Sequence, residues 1–136
     1  MQLEGPFLGN ESVACGLVRK HELRTRYRVL HPNVYVARET ALTFRQRAEA
    51  AWLWSGRQGV LAGLSAAAAY GSRWIDADEP AELFRRNGKP VDGILIHRDE
   101  LAEDETRLVA GVVATSPERT AFDLGRRRGR VRAVVR

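Results

Sequence analysis

Residues 10–36 read Asn10-Glu11-Ser12-Val13-Ala14-Cys15-Gly16-Leu17-Val18-Arg19-Lys20-His21-Glu22-Leu23-Arg24-Thr25-Arg26-Tyr27-Arg28-Val29-Leu30-His31-Pro32-Asn33-Val34-Tyr35-Val36. Asn10 is a capping residue type, and Gly16 can end a helix in the left-handed conformation, so 10–16 predicts one short helix. Val18, Leu23 and Tyr27 lie close to helical spacing among polar neighbours, which predicts a second short helix over 19–27. Two β-prone runs, Val29-Leu30 and Val34-Tyr35-Val36, flank the turn signal Pro32-Asn33 and predict a hairpin over 28–36. Helix, glycine turn, basic helix and hairpin is the order of a helix-turn-helix with a wing. In that geometry one helix enters the major groove and the wing reaches phosphate or the minor groove.

The side chains offered to solvent by this stretch suit a polyanion. Arg19, Lys20, His21, Arg24, Arg26 and Arg28 are the candidate DNA contacts, with Glu22 the one acid among them. Guanidinium forks bind phosphate oxygens and guanine edges in bidentate fashion. The competing reading is a basic surface that faces only water.

The wider charge pattern sharpens this contrast. The chain has 136 residues and a formal net charge of +5. Residues 1–47 hold 8 basic and 4 acidic groups, 48–117 hold 7 and 11, and 118–136 hold 7 and 2. Both ends are basic and the middle is acidic. Basic segments favour polyanions because each neutralised phosphate releases condensed counterions.

Beyond residue 40 the pattern turns mixed. Thr43 with Gln46 three residues later fits a capping box that opens a helix. Phe44, Ala48, Ala51, Trp52 and Ser55 form its apolar stripe, Gly56 can close it, and Arg45 with Glu49 pairs at i,i+4. Trp52 and Trp54 are expected in the core. Gly59–Gly63 predicts a short buried strand or an extended link. Ser65-Ala66-Ala67-Ala68-Ala69-Tyr70-Gly71 predicts a helix capped by Ser65, and Trp74 and Ile75 are expected to plug the same core. Residues 81–84 and 93–97 read as strands around the turn Asn87-Gly88-Lys89-Pro90, and 107–114 as a hairpin turned at Ala110-Gly111. Ser116 caps a last helix with Pro117 at its first position, carrying Ala121, Phe122 and Leu124 inward. The arginine-rich end, through Val131 to Arg136, looks like a helix cut short.

No catalytic constellation emerges. Asp99, Glu100, Glu103, Asp104 and Glu105 invite a cation, but the spacing is not that of a calcium loop, and a solvated loop is expected. His21, His31 and His97 have no zinc spacing. Cys15, the single cysteine, rules out an internal disulfide and reads as a small core residue. No glycine-rich phosphate loop is present. The expectation is a non-enzyme without cofactor or metal. No apolar run approaches about 18 residues, so no membrane-spanning helix is expected. With no signal-peptide pattern at the start, the expected location is the cytoplasm.

Five segments in order carry a family likeness: Gly16–Arg24, His31–Val36, Leu64–Gly71, Gly93–Arg98 and Thr115–Leu124. Together they resemble the AbiEi-type antitoxin and transcriptional-regulator family of type IV toxin–antitoxin systems. The resemblance implies a winged-helix domain that represses its own operon and a second α/β domain that opposes a nucleotidyltransferase-like toxin. Some relatives carry an endonuclease domain further downstream; the chain reads as truncated before it, so no nuclease is expected. The segment before Asn10 is short for a three-helix winged domain, and Asn33 stands where relatives usually have glycine.

The expected fold class is therefore α/β (α+β). A winged helix-turn-helix over 1–40 packs on a small mixed α/β domain over 41–136. Expected partners are double-stranded DNA of its own operator, a toxin protein and a second copy of the chain. The alternative is a protein-interaction module, or a truncated remnant, whose acidic centre engages a basic partner without reading DNA.

Overall fold

The computed structural model describes residues 3–128, so the expected helix beyond 128 lies outside the described residues. The chain is mixed α/β, with five α-helices and two sheets among the described residues. In chain order they begin with β1 (Phe7–Leu8), α1 (Gly9–Ala14), α2 (Glu22–Thr25), β2 (Tyr27–His31) and β3 (Val34–Ala37). Then come α3 (Phe44–Trp54), β4 (Val60–Leu61), α4 (Gly63–Ala69), β5 (Ala81–Phe84) and β6 (Ile94–His97). A 3-10 turn (Glu103–Glu105), β7 (Thr106–Val109), β8 (Val112–Thr115) and α5 (Pro117–Arg128) complete the order.

The first sheet is antiparallel, in the order β1-β3-β2. Its hairpin matches the sequence reading, with Asn33 at φ 65° in the turn. Asparagine tolerates that left-handed position better than most residues. The strand β1 was not foreseen. The turn is fastened to the start of α1: Asn33 O accepts from Gly9 N at 2.8 Å, and the Asn33 amide exchanges two hydrogen bonds with Asn10. Asn10 thus holds the hairpin rather than capping α1, whose N-cap is Leu8. Gly16 does stop that helix, at φ 82°.

The second helix is shorter than expected. Instead of 19–27 it spans only Glu22–Thr25. Val18, Tyr27 and Ala37 are buried together, with Phe7 edge-on to the Tyr27 ring at 4.9 Å. Burying Tyr27 in β2 ends the helix before the third predicted apolar position can join it.

The second sheet has the order β6-β5-β4-β8-β7. Its core joins Leu61, Leu83, Ile94, Val112 and Ala114 to the alanines of α3 and α4, with Trp52 and Trp54 packed half-buried against it. α3 touches strands of both sheets. Its capping box forms as predicted, Thr43 Oγ1 accepting from Gln46 N at 3.1 Å and Gln46 Oε1 from Thr43 N at 3.0 Å.

Four expectations here need correction. Ser65 does not cap α4; it lies inside the helix, and its Oγ accepts from Glu82 N at 2.9 Å, filling the place where the short β4 leaves β5 unpaired. Trp74 does not plug the core: it is 95% exposed, because α4 packs through alanines too closely for an indole and the chain turns away at Gly71. The strands β5 and β6 do not form a hairpin around Asn87–Pro90; they run parallel. Arg98 donates to the carbonyls of Arg85, Arg86 and Gly88, which ties the connection to the end of β6. On α5, Ala121 and Phe122 face outward, and Thr120 and Asp123 are the buried residues. Asp123 can be buried because Arg119 Nε meets both its oxygens, at 2.9 and 3.1 Å.

Among the described residues, no helix is long and apolar enough to cross a membrane.

Candidate nucleic-acid interface

The loop before α2, the single turn of α2 and the start of β2 carry the cationic side chains. Arg19, Lys20, His21, Arg24 and Arg26 are all exposed and contiguous along this stretch. Among the described residues, the guanidinium of Arg24 and the ammonium of Lys20 have no partner. Arg19 donates its backbone N–H to Glu22 Oε1 at 2.8 Å, which leaves its guanidinium free for a ligand. Arg26 Nη1 lies 3.3 Å from Glu22 Oε2, a solvated pair that costs little to open. The Arg19 N–H, opposed by burial and aided by the nearby Arg26 charge, holds the Glu22 carboxyl below its ordinary range. Glu22 therefore stays ionised and organises this turn.

Arg28 is different. It is half-buried, and its Nη2 donates to Thr40 O at 3.2 Å, so it supports the backbone after β3. Arg38 was missed by the sequence reading. Its Nη2 donates to Arg24 O at 2.6 Å, which satisfies a carbonyl at the end of α2 and brings a further exposed cation to the same face. Its place directly after β3 was the available signal, since β3 returns the chain to the side where β2 began.

A helix of four residues is only about 6 Å long. The face it builds offers cations from a loop and one turn rather than a long groove-filling rod. Chemically, such a surface suits phosphate oxygens more than a long row of base edges.

The other polar cluster lies on the second sheet. His97 Nε2 is 2.8 Å from Glu82 Oε2, and Arg119 Nη1 is 3.0 Å from Glu105 Oε2. Burial opposes the charge on Arg119, but the Glu105 and Asp123 carboxylates outweigh it and hold its pKa above the usual value. The backbone N–H of Ala102, then Arg119, keep the Glu105 carboxyl low. These groups satisfy one another, which is the chemistry of a partly buried structural brace. Among the described residues, no three His, Cys, Asp or Glu side chains are placed to hold a metal ion, and the acidic run 99–105 is a surface segment.

His31 sits at the junction between the hairpin and the second sheet, with Arg47 of α3 and Gly93 nearby. Burial, then the Arg47 charge, holds its pKa below the ordinary imidazole value. The fold therefore binds fewer protons here than the unfolded chain does. The resulting stability is complete above the ordinary pKa of about 6.5 and is lost as the pH falls through the folded value. His97 is lowered in the same direction, first by burial. Thermal unfolding followed from pH 8 to pH 5 is expected to show a falling midpoint, with a shallower fall in His31→Asn. Equal slopes in the two proteins would remove His31 as a source.

No family model matches this chain, and no curated protein matches it.

Proposed function

We propose that this protein is a DNA-binding transcriptional regulator of the AbiEi antitoxin type. In this reading residues 1–40 act as a winged helix-turn-helix and 41–136 as a small α/β antitoxin-like domain. It represses its own operon in the cytoplasm and opposes a nucleotidyltransferase-like toxin. One observation carries the DNA reading: Arg19 and Lys20 in the loop before α2 and Arg24 on its single turn all stand exposed, shortly before a hairpin. The sheet order β1-β3-β2 supports it, because it sets a helix pair against a three-stranded wing sheet. The anchored hairpin turn adds that any wing contact comes from the strands' flank, where Val29 is exposed, rather than from a free tip.

The test is a fluorescence-anisotropy titration against labelled duplex from the protein's own upstream region and a scrambled duplex, at two salt concentrations. The reading predicts tighter binding to the upstream duplex and a log K that falls by about 0.9 per phosphate contact per unit log[salt]. Equal, weak binding that vanishes with salt would leave only the generic attraction of a cationic protein.

A second reading has its own observation. Trp74 is almost wholly exposed on a loop that also carries Asp76, Asp78 and Glu79. An indole with carboxylates beside it suits an arginine or lysine side chain of a protein partner. Co-purification with a basic partner through this loop, without DNA binding, would favour the interaction-module reading.

A further inference from the structure

The five-stranded sheet has two outer strands, β6 and β7, and they are finished differently. The guanidinium of Arg107 folds over the outer edge of β7, donating from Nη1 to Thr106 O at 3.1 Å and to Asp104 O at 3.0 Å. That charge blocks an incoming strand, the usual way a protein guards a sheet edge. The edge of β6 has no such guard. Its sequence is Ile94-Leu95-Ile96-His97, and no charged residue lies within it.

Hydrogen-bond parity identifies which groups face outward. Ala81 N donates to Gly93 O at 3.1 Å, and Arg85 N donates to His97 O at 2.9 Å. Gly93, Leu95 and His97 therefore turn their main-chain groups toward β5, and Ile94 and Ile96 turn theirs to the open edge. Among the described residues, no strand pairs with that edge. The side chain of Leu95 is 47% exposed.

We infer that β6 is a dimerisation edge, pairing antiparallel with β6 of a second copy of this chain to form one continuous ten-stranded sheet. A two-fold axis normal to the sheet keeps the two faces of the sheet in common, so the register must centre on a residue opposed to itself. Centring on Leu95 sets Leu95 against the partner's Leu95 on one face and Ile94 against the partner's Ile96 on the other. The outward N–H and C=O groups of Ile94 and Ile96 then bond each other across the axis. The same register sets exposed Asp92 opposite the partner's Arg98, twice by symmetry. Arg98 keeps its charge there, because its own contacts are to carbonyls. Apolar matching, main-chain pairing and charge complementarity thus coincide in one register. This inference does not rest on the DNA reading.

The experiment uses the full chain carrying Cys15→Ser, since Cys15, expected as a core residue, is instead exposed and would confuse crosslinking. Leu95 opposed to itself is a non-hydrogen-bonded pair with Cα atoms about 4.5 Å apart, within reach of a disulfide. Mild oxidation of Leu95→Cys is expected to give a crosslinked dimer in most of the protein. Leu108→Cys, on the guarded edge and 77% exposed, is expected to give little. In sedimentation analysis the parent chain is expected to be a dimer. Ile96→Pro, which removes an outward N–H and leaves the β5 ladder intact, is expected to sediment as a monomer with unchanged circular dichroism. A parent chain that stays monomeric at high concentration would overturn the proposal. So would a dimer that crosslinks through residue 108 and not 95. These outcomes hold whether or not the protein binds DNA.

Discussion

Arg119→Ala is expected to be the most destabilising single substitution on the sheet face covered by α5. Asp123 is fully buried, and Arg119 supplies its closest cation, through Nε at 2.9 Å. The remaining cation, Arg126, lies 3.5 Å away and is half exposed. The same guanidinium reaches Glu105 and covers the Phe84 ring at 5.2 Å. Removing one partner of a buried pair leaves a charge out of water, at a cost of about 3–5 kcal/mol. For a chain of this size that lowers the melting temperature by on the order of 10 °C. By contrast, Arg86→Ala breaks the exposed pair with Glu100 and is expected to change stability by less than about 1 kcal/mol. Chemical denaturation of both variants makes the comparison. A loss below about 1 kcal/mol for Arg119→Ala would mean that the brace is not structural.

The largest functional effect is expected from replacing Arg19, Lys20 and Arg24 together with alanine. Each is exposed, and none of the three side chains holds the fold together. Each lost phosphate contact removes about 0.9 from the slope of log K against log[salt]. At 0.1 M salt that is roughly eightfold per contact, or on the order of 500-fold for three. The slope should become shallower by about 2.7 while the melting temperature is unchanged. Arg28→Ala serves as the contrast, since its guanidinium already serves Thr40; it is expected to alter stability more than the salt slope. An unchanged slope in the triple variant would place the contact surface elsewhere.

Local chemistry was readable in the sequence, and pairing across the chain was not. Thr43 and Gln46 are three residues apart and satisfy each other, so the capping box needs no distant partner. The turns were equally legible from Asn33 and Gly111, residue types that tolerate positive φ, although Ala110 also adopts one. The parallel pairing of β5 and β6 depends on how residues 85–93 travel, and their contacts, such as that of Gly88 O with Arg98, come from outside the segment. Hydrophobic patterning assigned Phe122 to the core of α5 and overlooked Asp123. A buried carboxylate is invisible to that pattern, and only the i,i+4 placement of Arg119 hinted at it.

The candidate interface shows the same division. Its cations were legible as composition, as was their grouping before a hairpin. The length of α2 was not, because Tyr27 can serve a helix or a strand at that spacing. Its burial beside Val18 and Ala37 chooses the strand. Arg38 escaped notice because its role, holding Arg24 O, depends on β3 folding back beside β2.

In the proposed function, DNA meets the face built around α2. Backbone amide NMR of the uniformly labelled protein, titrated with its own upstream duplex, tests it most directly. Shifts are expected to concentrate in residues 17–28 and around Arg38, and to leave 72–80 and 99–108 unmoved. Shifts centred on Trp74 or on the acidic segment, or no shifts at saturating duplex, would contradict it.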